Sequence, residues 1–274
     1  MITGTSRASL AIVRERLDAL AGQLTTSEAR SSLASELYAV ADLFASQPRL
    51  RRAAADPASK ASSRRELVDR LLTGKVSATC LDIVRTAVQQ RWTSAWDLGD
   101  SLEQVADDAL LASAEADGTL GEVEDELFRL ERILGAEPEL TTLLDQADVP
   151  GERRAALARR LLAGKASPVT QELVEHAVAS ARKRSIEHAV EALLEAAAAG
   201  QARSIARIIS AVTLTDAQED RIARTLTAMY GRPISVRTSV EPAIQGGLVI
   251  RVADEVIDGS VATRIAMIRK TIAG

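Results

Sequence analysis

Arg70-Leu71-Leu72-Thr73-Gly74-Lys75-Val76-Ser77 returns, at an offset of 90 residues, as Arg160-Leu161-Leu162-Ala163-Gly164-Lys165-Ala166-Ser167. In each copy an apolar pair closes a helix, a glycine supplies the residue that stops it, and a serine is placed to cap the next helix. The same offset carries Glu36-Leu37-Tyr38 onto Glu126-Leu127-Phe128, Pro48 onto Pro138, Leu50 onto Leu140, and Val84, Ala87 and Val88 onto Val174, Ala177 and Val178. No gap is needed, and 15 of the 56 pairs between 36–91 and 126–181 are identical. Because the identities fall on apolar and helix-ending positions, one helical module occurs twice. Asp18-Ala19-Leu20 also meets Asp108-Ala109-Leu110, so the helix around 95–115 ends the first module and begins the second. No Pro/Gly/Ser-rich tract separates them, and one stiff rod is expected.

Around this repeat the chain reads as helix until about residue 200. Leu10, Val13, Leu17 and Leu20 recur at helical spacing behind Thr5 or Ser6, and Thr25-x-x-Glu28 and Ser63-x-x-Glu66 read as capping boxes. Pro48 and Pro57 bracket a short helix, and a last long helix opens near Ser185. From Ala202 the grammar changes. Ile205 to Val212 reads as a strand, and Thr215-x-x-Gln218 opens a helix with Ile222, Leu226, Met229 and Tyr230 on one stripe, stopping at Gly231 and Pro233. Ile234 to Val240 alternates as a strand. Gly246 and Gly247 then permit a turn or bulge before Leu248, Ile250 and Val252, and Asp254 and Glu255 supply a polar turn. After Val256, Ile257 and Gly259, Ser260 is placed to cap a closing helix bearing Val261, Ile265, Ile268 and Ile272. The predicted fold class is mainly α: two tandem helical-bundle modules sharing a helix, residues 1–115 and 116–200, followed by a small α/β domain, residues 201–274.

Composition narrows the function. With 46% hydrophobic but only 2% aromatic residues, the cores must be close-packed helices of Ala, Leu, Val and Ile. Cys80 is the single cysteine and reads as a buried structural thiol. No basic-then-apolar leader opens the chain, and no window approaches the roughly 18 uninterrupted apolar residues of a membrane span. Net charge runs −1 over 1–115, −6 over 116–200 and +3 over 201–274, which argues against one continuous nucleic-acid footprint. Gly74-Lys75 and Gly164-Lys165 lack the spaced first glycine and the following hydroxyl of a phosphate loop. His176 and His188 lack ligand partners at metal spacing, Asp254, Glu255 and Asp258 lack an accompanying nucleophile, and Arg182-Lys183-Arg184 reads as a solvated face or helix junction. No catalytic, cofactor or metal residue is expected. The reading is a binding protein whose helical grooves take a partner's amphipathic helix.

The stretch Gly246-Gly247-Leu248-Val249-Ile250-Arg251-Val252, then Asp254, Val256-Ile257-Asp258-Gly259-Ser260-Val261 and Arg264-Ile265, closely resembles the C-terminal signature of the delta subunit of bacterial F-type ATP synthases. The mitochondrial relative of that family is the oligomycin-sensitivity-conferring protein. The resemblance implies a non-catalytic subunit without cofactor, peripheral on the cytoplasmic face of the cell membrane. Its helical bundle would grip N-terminal helices of the alpha subunits, and its C-terminal domain would meet the b-type stalk subunits, with beta and gamma in the same complex. Residues 116–274 look like the whole ordinary subunit and residues 1–115 like an added copy, the form found in actinobacteria. The second copy is then the expected head binder, with Leu140, Leu144, Leu157, Leu161, Val174 and Val178 as core or groove residues. Two other readings compete. A free-standing helical-repeat adaptor would call for further copies of the module, and an RNA-binding sheet would call for exposed aromatics, whereas Tyr230 is the only aromatic after residue 128.

Overall fold

The computed structural model describes residues 4–20, 23–180, 185–203, 205–230, 234–241, 244, 246–252 and 255–259. Among them the chain is mainly α with a small α/β part at its C-terminal end. It divides into two compact units, Met1–Ala196 and Ala197–Gly274.

The helices are α1 (Thr5–Leu20), α2 (Ser27–Ser46), α3 (Pro48–Ala55), α4 (Ala61–Leu72), α5 (Ala78–Gln89), α6 (Ala95–Ala116), α7 (Leu120–Ala136), α8 (Pro138–Asp145), α9 (Gly151–Leu162), α10 (Pro168–Ala179), α11 (Ile186–Arg203) and α12 (Asp216–Tyr230). The repeat is literal: α3, α4 and α5 shifted by 90 residues give the bounds of α8, α9 and α10. Gly74 and Gly164 hold φ of 75° and 69°, the left-handed conformation that stops a helix at no steric cost to glycine. Ser77 caps α5 by accepting from the Cys80 N–H, and Ser167 caps α10 by accepting from the Thr170 N–H. α6 touches α1, α2, α3 and α5 of the first copy and α7 and α10 of the second. Leu98, Leu102, Val105, Ala106, Ala109 and Leu110 are fully buried along it.

Where the copies differ, the difference is chemical. Arg64 ties the last turn of α5 to the loop before α4, donating from Nε to the Val88 carbonyl at 2.6 Å and from its Nη atoms to Asp56, Gln89 and other carbonyls. Arg154, its counterpart, donates to the Leu144 carbonyl at 2.9 Å, and its buried Nε has no acceptor. There α9 and α10 close up instead through Gly151, whose missing Cβ would lie 2.6 Å from the Ala179 carbonyl oxygen. An ion pair between the same positions is reversed in polarity: Asp69 with Arg85 at 2.5 Å in the first copy, Arg159 with Glu175 in the second.

Three details of the sequence reading are corrected. Thr26, not Thr25, caps α2, its hydroxyl accepting from the Ala29 N–H at 3.2 Å. Ser63 lies inside α4, which starts at Ala61 without a side-chain cap. Met229 is exposed, because it sits about 60° round the helix from Leu226, on the side away from Tyr230.

In the second unit β1 (Ile205–Ser210), β2 (Ser235–Val240), β3 (Leu248–Val252) and β4 (Glu255–Asp258) form a sheet in the order β2-β1-β3-β4. β1 and β2 are parallel, as a crossover through α12 requires, while β3 runs antiparallel to both β1 and β4. Ala206, Leu226, Ile234 and Val252 form the core, with Ile222, Tyr230, Val236, Ile250 and Ile257 packed against it. Helix α12 thus covers one face of the sheet. The closing helix read from Ser260, the stop at Gly231 and Pro233, and the Arg182-Lys183-Arg184 triplet lie outside the described residues.

Candidate functional site

Each copy organises its helical hairpin with one carboxylate. Glu126 on α7 accepts from the Ser167 N–H at 2.9 Å, from the Ser167 hydroxyl at 2.8 Å, and from the Thr170 hydroxyl, so a buried anion sits at the positive end of α10. Glu36 on α2 does the same for Ser77, from a more exposed position. These carboxylates hold helices in place and leave no reactive group free.

The six predicted groove residues separate by depth. Leu144, Val174 and Val178 are buried in the core. Leu140 and Leu157 are half-buried, and Leu161 is exposed at 38%. Three further apolar side chains of the same copy, Phe128, Ile133 and Leu143, are about half exposed, and the sequence reading did not single them out. Of the five large apolar side chains exposed in the helical unit among the described residues, four belong to the second copy and only Ile12 to the first. Alignment of the copies does not mark them, since buried Leu144 stands opposite an alanine, Ala54, just as exposed Leu143 does. Leu143 stands where the first copy has Ala53, and Phe128 where it has Tyr38.

Tyr38 shows why the equivalent surface of the first copy is closed. Its ring stacks on His176 of α10 at 3.6 Å between centroids and 9° between planes, and its hydroxyl donates to Asp107 of α6 at 2.5 Å. Burial first, then the Asp107 carboxylate, pushes the phenol well above its ordinary range. Burial holds the His176 imidazole below its usual value. The stack borders a cavity of ≈ 170 Å³ whose other walls include Trp96, Glu103 and Leu193. His188 is elsewhere, on the surface with Ser185.

The signature residues build the hairpin. Gly246 and Gly247 take φ of 118° and 86°, which a residue with a Cβ resists. Val249 faces Asp258 across the β3–β4 pair, Val252 is buried and Ile257 reaches the core, while Val256 is exposed at 55%. The Gly259 N–H donates to the Leu248 carbonyl at 2.8 Å, closing the ladder. Glu255 accepts from the Tyr230 hydroxyl at 2.7 Å, a structural use of one of the three clustered acids. Asp254 and Ser260 lie outside the described residues. Among the described residues no group of His, Cys, Asp and Glu is arranged to hold a metal ion, and no helix is long and apolar enough to cross a membrane.

Comparison with known proteins matches this architecture. The profile of the family described as "ATP synthase delta (OSCP) subunit" matches residues 106–272. ATP synthase subunit delta of Streptomyces griseus subsp. griseus is 40% identical over 273 residues, covering 100% of both chains. That of Salinispora arenicola is 42% identical over 273 residues, covering 100% of this chain and 99% of its own. Among solved structures, a chain of the Toxoplasma gondii mitochondrial ATP synthase hexamer matches 61% of this chain and 95% of its own, with 20% identity and a TM-score of 0.31, too low for a shared fold to be read from it. On the strength of the profile match and of relatives aligned from end to end, the chain belongs to the ATP synthase delta (OSCP) subunit family.

Proposed function

We propose that this chain is a non-catalytic peripheral-stalk subunit of a proton-translocating ATP synthase, on the cytoplasmic face of the membrane. It ties the catalytic head to the b-type stalk subunits and resists the torque of the rotor. Its second helical copy holds the N-terminal helices of the alpha subunits, and its sheet unit meets the stalk, with beta and gamma in the same assembly. The observation that carries this reading is the coincidence of two boundaries. The family profile begins within α6 and covers the second copy and the sheet unit, and that second copy is the one with exposed Phe128, Ile133, Leu143 and Leu161. Large apolar side chains left in water on one repeat, where the other has buried Tyr38, half-buried Leu43 and Leu71 and the small Ala53, fit a surface that a partner helix completes.

The test is removal and return. Vesicles carrying the host ATP synthase are stripped of this chain and then given it back, with ATP-driven proton pumping and ATP hydrolysis followed in parallel. Re-addition is expected to restore pumping while hydrolysis changes little. The variant Phe128→Glu/Leu143→Glu, with circular dichroism unchanged, is expected to rebind roughly tenfold more weakly. Normal rebinding by that variant would move the head contact off the second copy. The +3 balance of residues 201–274 further predicts that binding to the b-type subunits weakens with salt, and an affinity unchanged across the salt range would remove the electrostatic part of the reading.

A further inference from the structure

The repeat supplies an internal control for the surfaces of the second copy, and the outer face of α9 departs from its control in charge. On α4 the outward charges are Arg65, Glu66, Asp69 and Arg70, net 0, and they are largely spent within the chain. Arg70 pairs with Glu66 at 2.5 Å, and Asp69 pairs with Arg85. On α9 the outward charges are Glu152, Arg153, Arg159 and Arg160, net +2, with Ala156 where α4 has Glu66. Arg159 pairs with Glu175, but the exchange of Glu66 for Ala156 leaves Arg160 without its intrahelical partner. Among the described residues the side chains of Arg153 and Arg160 make no ion pair or hydrogen bond, and both are exposed. They stand seven residues apart, two turns and about 10.5 Å along one line of the helix. Leu157 and Leu161 flank that line, half-buried and 38% exposed. All this lies in a segment, 116–200, that is otherwise the most acidic of the chain.

We propose that the outer face of α9 is a docking surface for an acidic amphipathic helix of a neighbouring protein chain, its carboxylates meeting Arg153 and Arg160 and its apolar stripe meeting Leu157 and Leu161. The inference rests on the reading of the second copy as the partner-facing one, and adds the chemistry of what it faces. Charge complementarity selects the occupant. A basic helix would be repelled by three arginines, and a purely apolar one would leave Arg153 and Arg160 covered without counter-charge. The pair of leucines asks for a folded, two-faced helix rather than a disordered acidic tail.

The test uses the full chain in the assembled ATP synthase. A photo-crosslinking benzoyl-phenylalanine is placed at position 156 in place of Ala156, and at position 66 in place of Glu66 as the control. Crosslinked segments are identified by mass spectrometry, and rebinding to stripped vesicles is measured for Arg153→Glu/Arg160→Glu and for Arg70→Glu. The expected result is a protein adduct from position 156 alone, on a helical segment of net negative charge. The double variant should rebind roughly tenfold more weakly at low salt, a loss that shrinks towards about 0.5 M salt, while Arg70→Glu rebinds normally. A lipid adduct, an adduct on a basic or neutral segment, or normal rebinding by the double variant overturns the proposal. If Phe128→Glu/Leu143→Glu weakens rebinding and Arg153→Glu/Arg160→Glu does not, only the α9 surface falls. If neither does, the partner-facing role of the second copy falls with it.

Discussion

At the scale of single residues, Glu126 and His176 show how the second copy is held. Glu126 is 8% exposed and accepts from three donors at the start of α10, of which the Ser167 hydroxyl also reaches the Thr170 hydroxyl at 3.0 Å. Removing it takes the acceptor from the part-buried Ser167 N–H and from the buried Thr170 hydroxyl, which costs more than losing the bonds themselves. Glu126→Ala is expected to lower the urea unfolding free energy by about 2 kcal/mol, and Glu36→Ala by no more than half as much because water replaces Glu36. Equal losses would mean that the burial difference has no energetic weight. His176 gives the pH dependence. Burial depresses its imidazole below the ordinary 6.5, against the pull of Glu172, Asp42 and Glu175. The folded chain thus binds the proton less well than the unfolded chain. The stability linked to His176 is complete above about pH 6.5 and is withdrawn as the pH falls through and below that value. His176→Gln, though less stable overall through loss of the Tyr38 stack, is expected to lose less melting temperature than the native chain between pH 7 and pH 5.5. Parallel melting curves would show that His176 does not titrate in this range.

At the scale of elements, the α9–α10 contact depends on one absent atom. A Cβ at Gly151 would meet backbone oxygen, which cannot turn aside, so Gly151→Ala is expected to cost about 1–3 kcal/mol in chemical denaturation. Gly164→Ala should cost about 1–2 kcal/mol for a different reason, its left-handed φ, since nothing crowds its Cβ position. If Gly151→Ala is neutral, the close approach is not a constraint. Much of this was legible beforehand. The identical Gly-Lys-x-Ser stretches, the prolines and the apolar spacing foretold the helices because stop and start signals are local. The start of α4 was not legible, because any serine three residues before a glutamate looks like a capping box, whereas this helix starts where Arg64 is drawn inward to carbonyls of α5. Core and groove were not separable either. Leu144 and Leu143 are adjacent and chemically identical, yet one is 3% and the other 52% exposed, and only the packing of α8 on its neighbours decides which. The internal alignment does not separate them, because Leu143 stands opposite Ala53 and Leu144 opposite Ala54.

At the scale of the molecule, the proposed stalk role requires force to pass through the chain, and duplication serves it only if the two copies yield together. Helix α6 is the element that decides this, since it touches helices of both copies and contributes fully buried residues along its whole length. If it is a shared core rather than a linker, weakening it must destabilise both copies by the same amount. Leu110→Ala removes a side chain with 0% exposure and is expected to cost about 2–5 kcal/mol. Trp92, buried with its indole N–H donating to the Ala87 carbonyl of α5, reports the first copy by fluorescence in a Trp96→Phe background, and amide exchange in α9 and α10 reports the second. Both free energies should fall in step in Leu110→Ala, whereas exchange in β1, which belongs to a unit with its own core, should keep its native protection. A fall in the tryptophan signal alone would mean that the copies unfold independently. The added copy would then lengthen the subunit without stiffening it, because a force applied at one copy would be relieved by local opening before it reached the other.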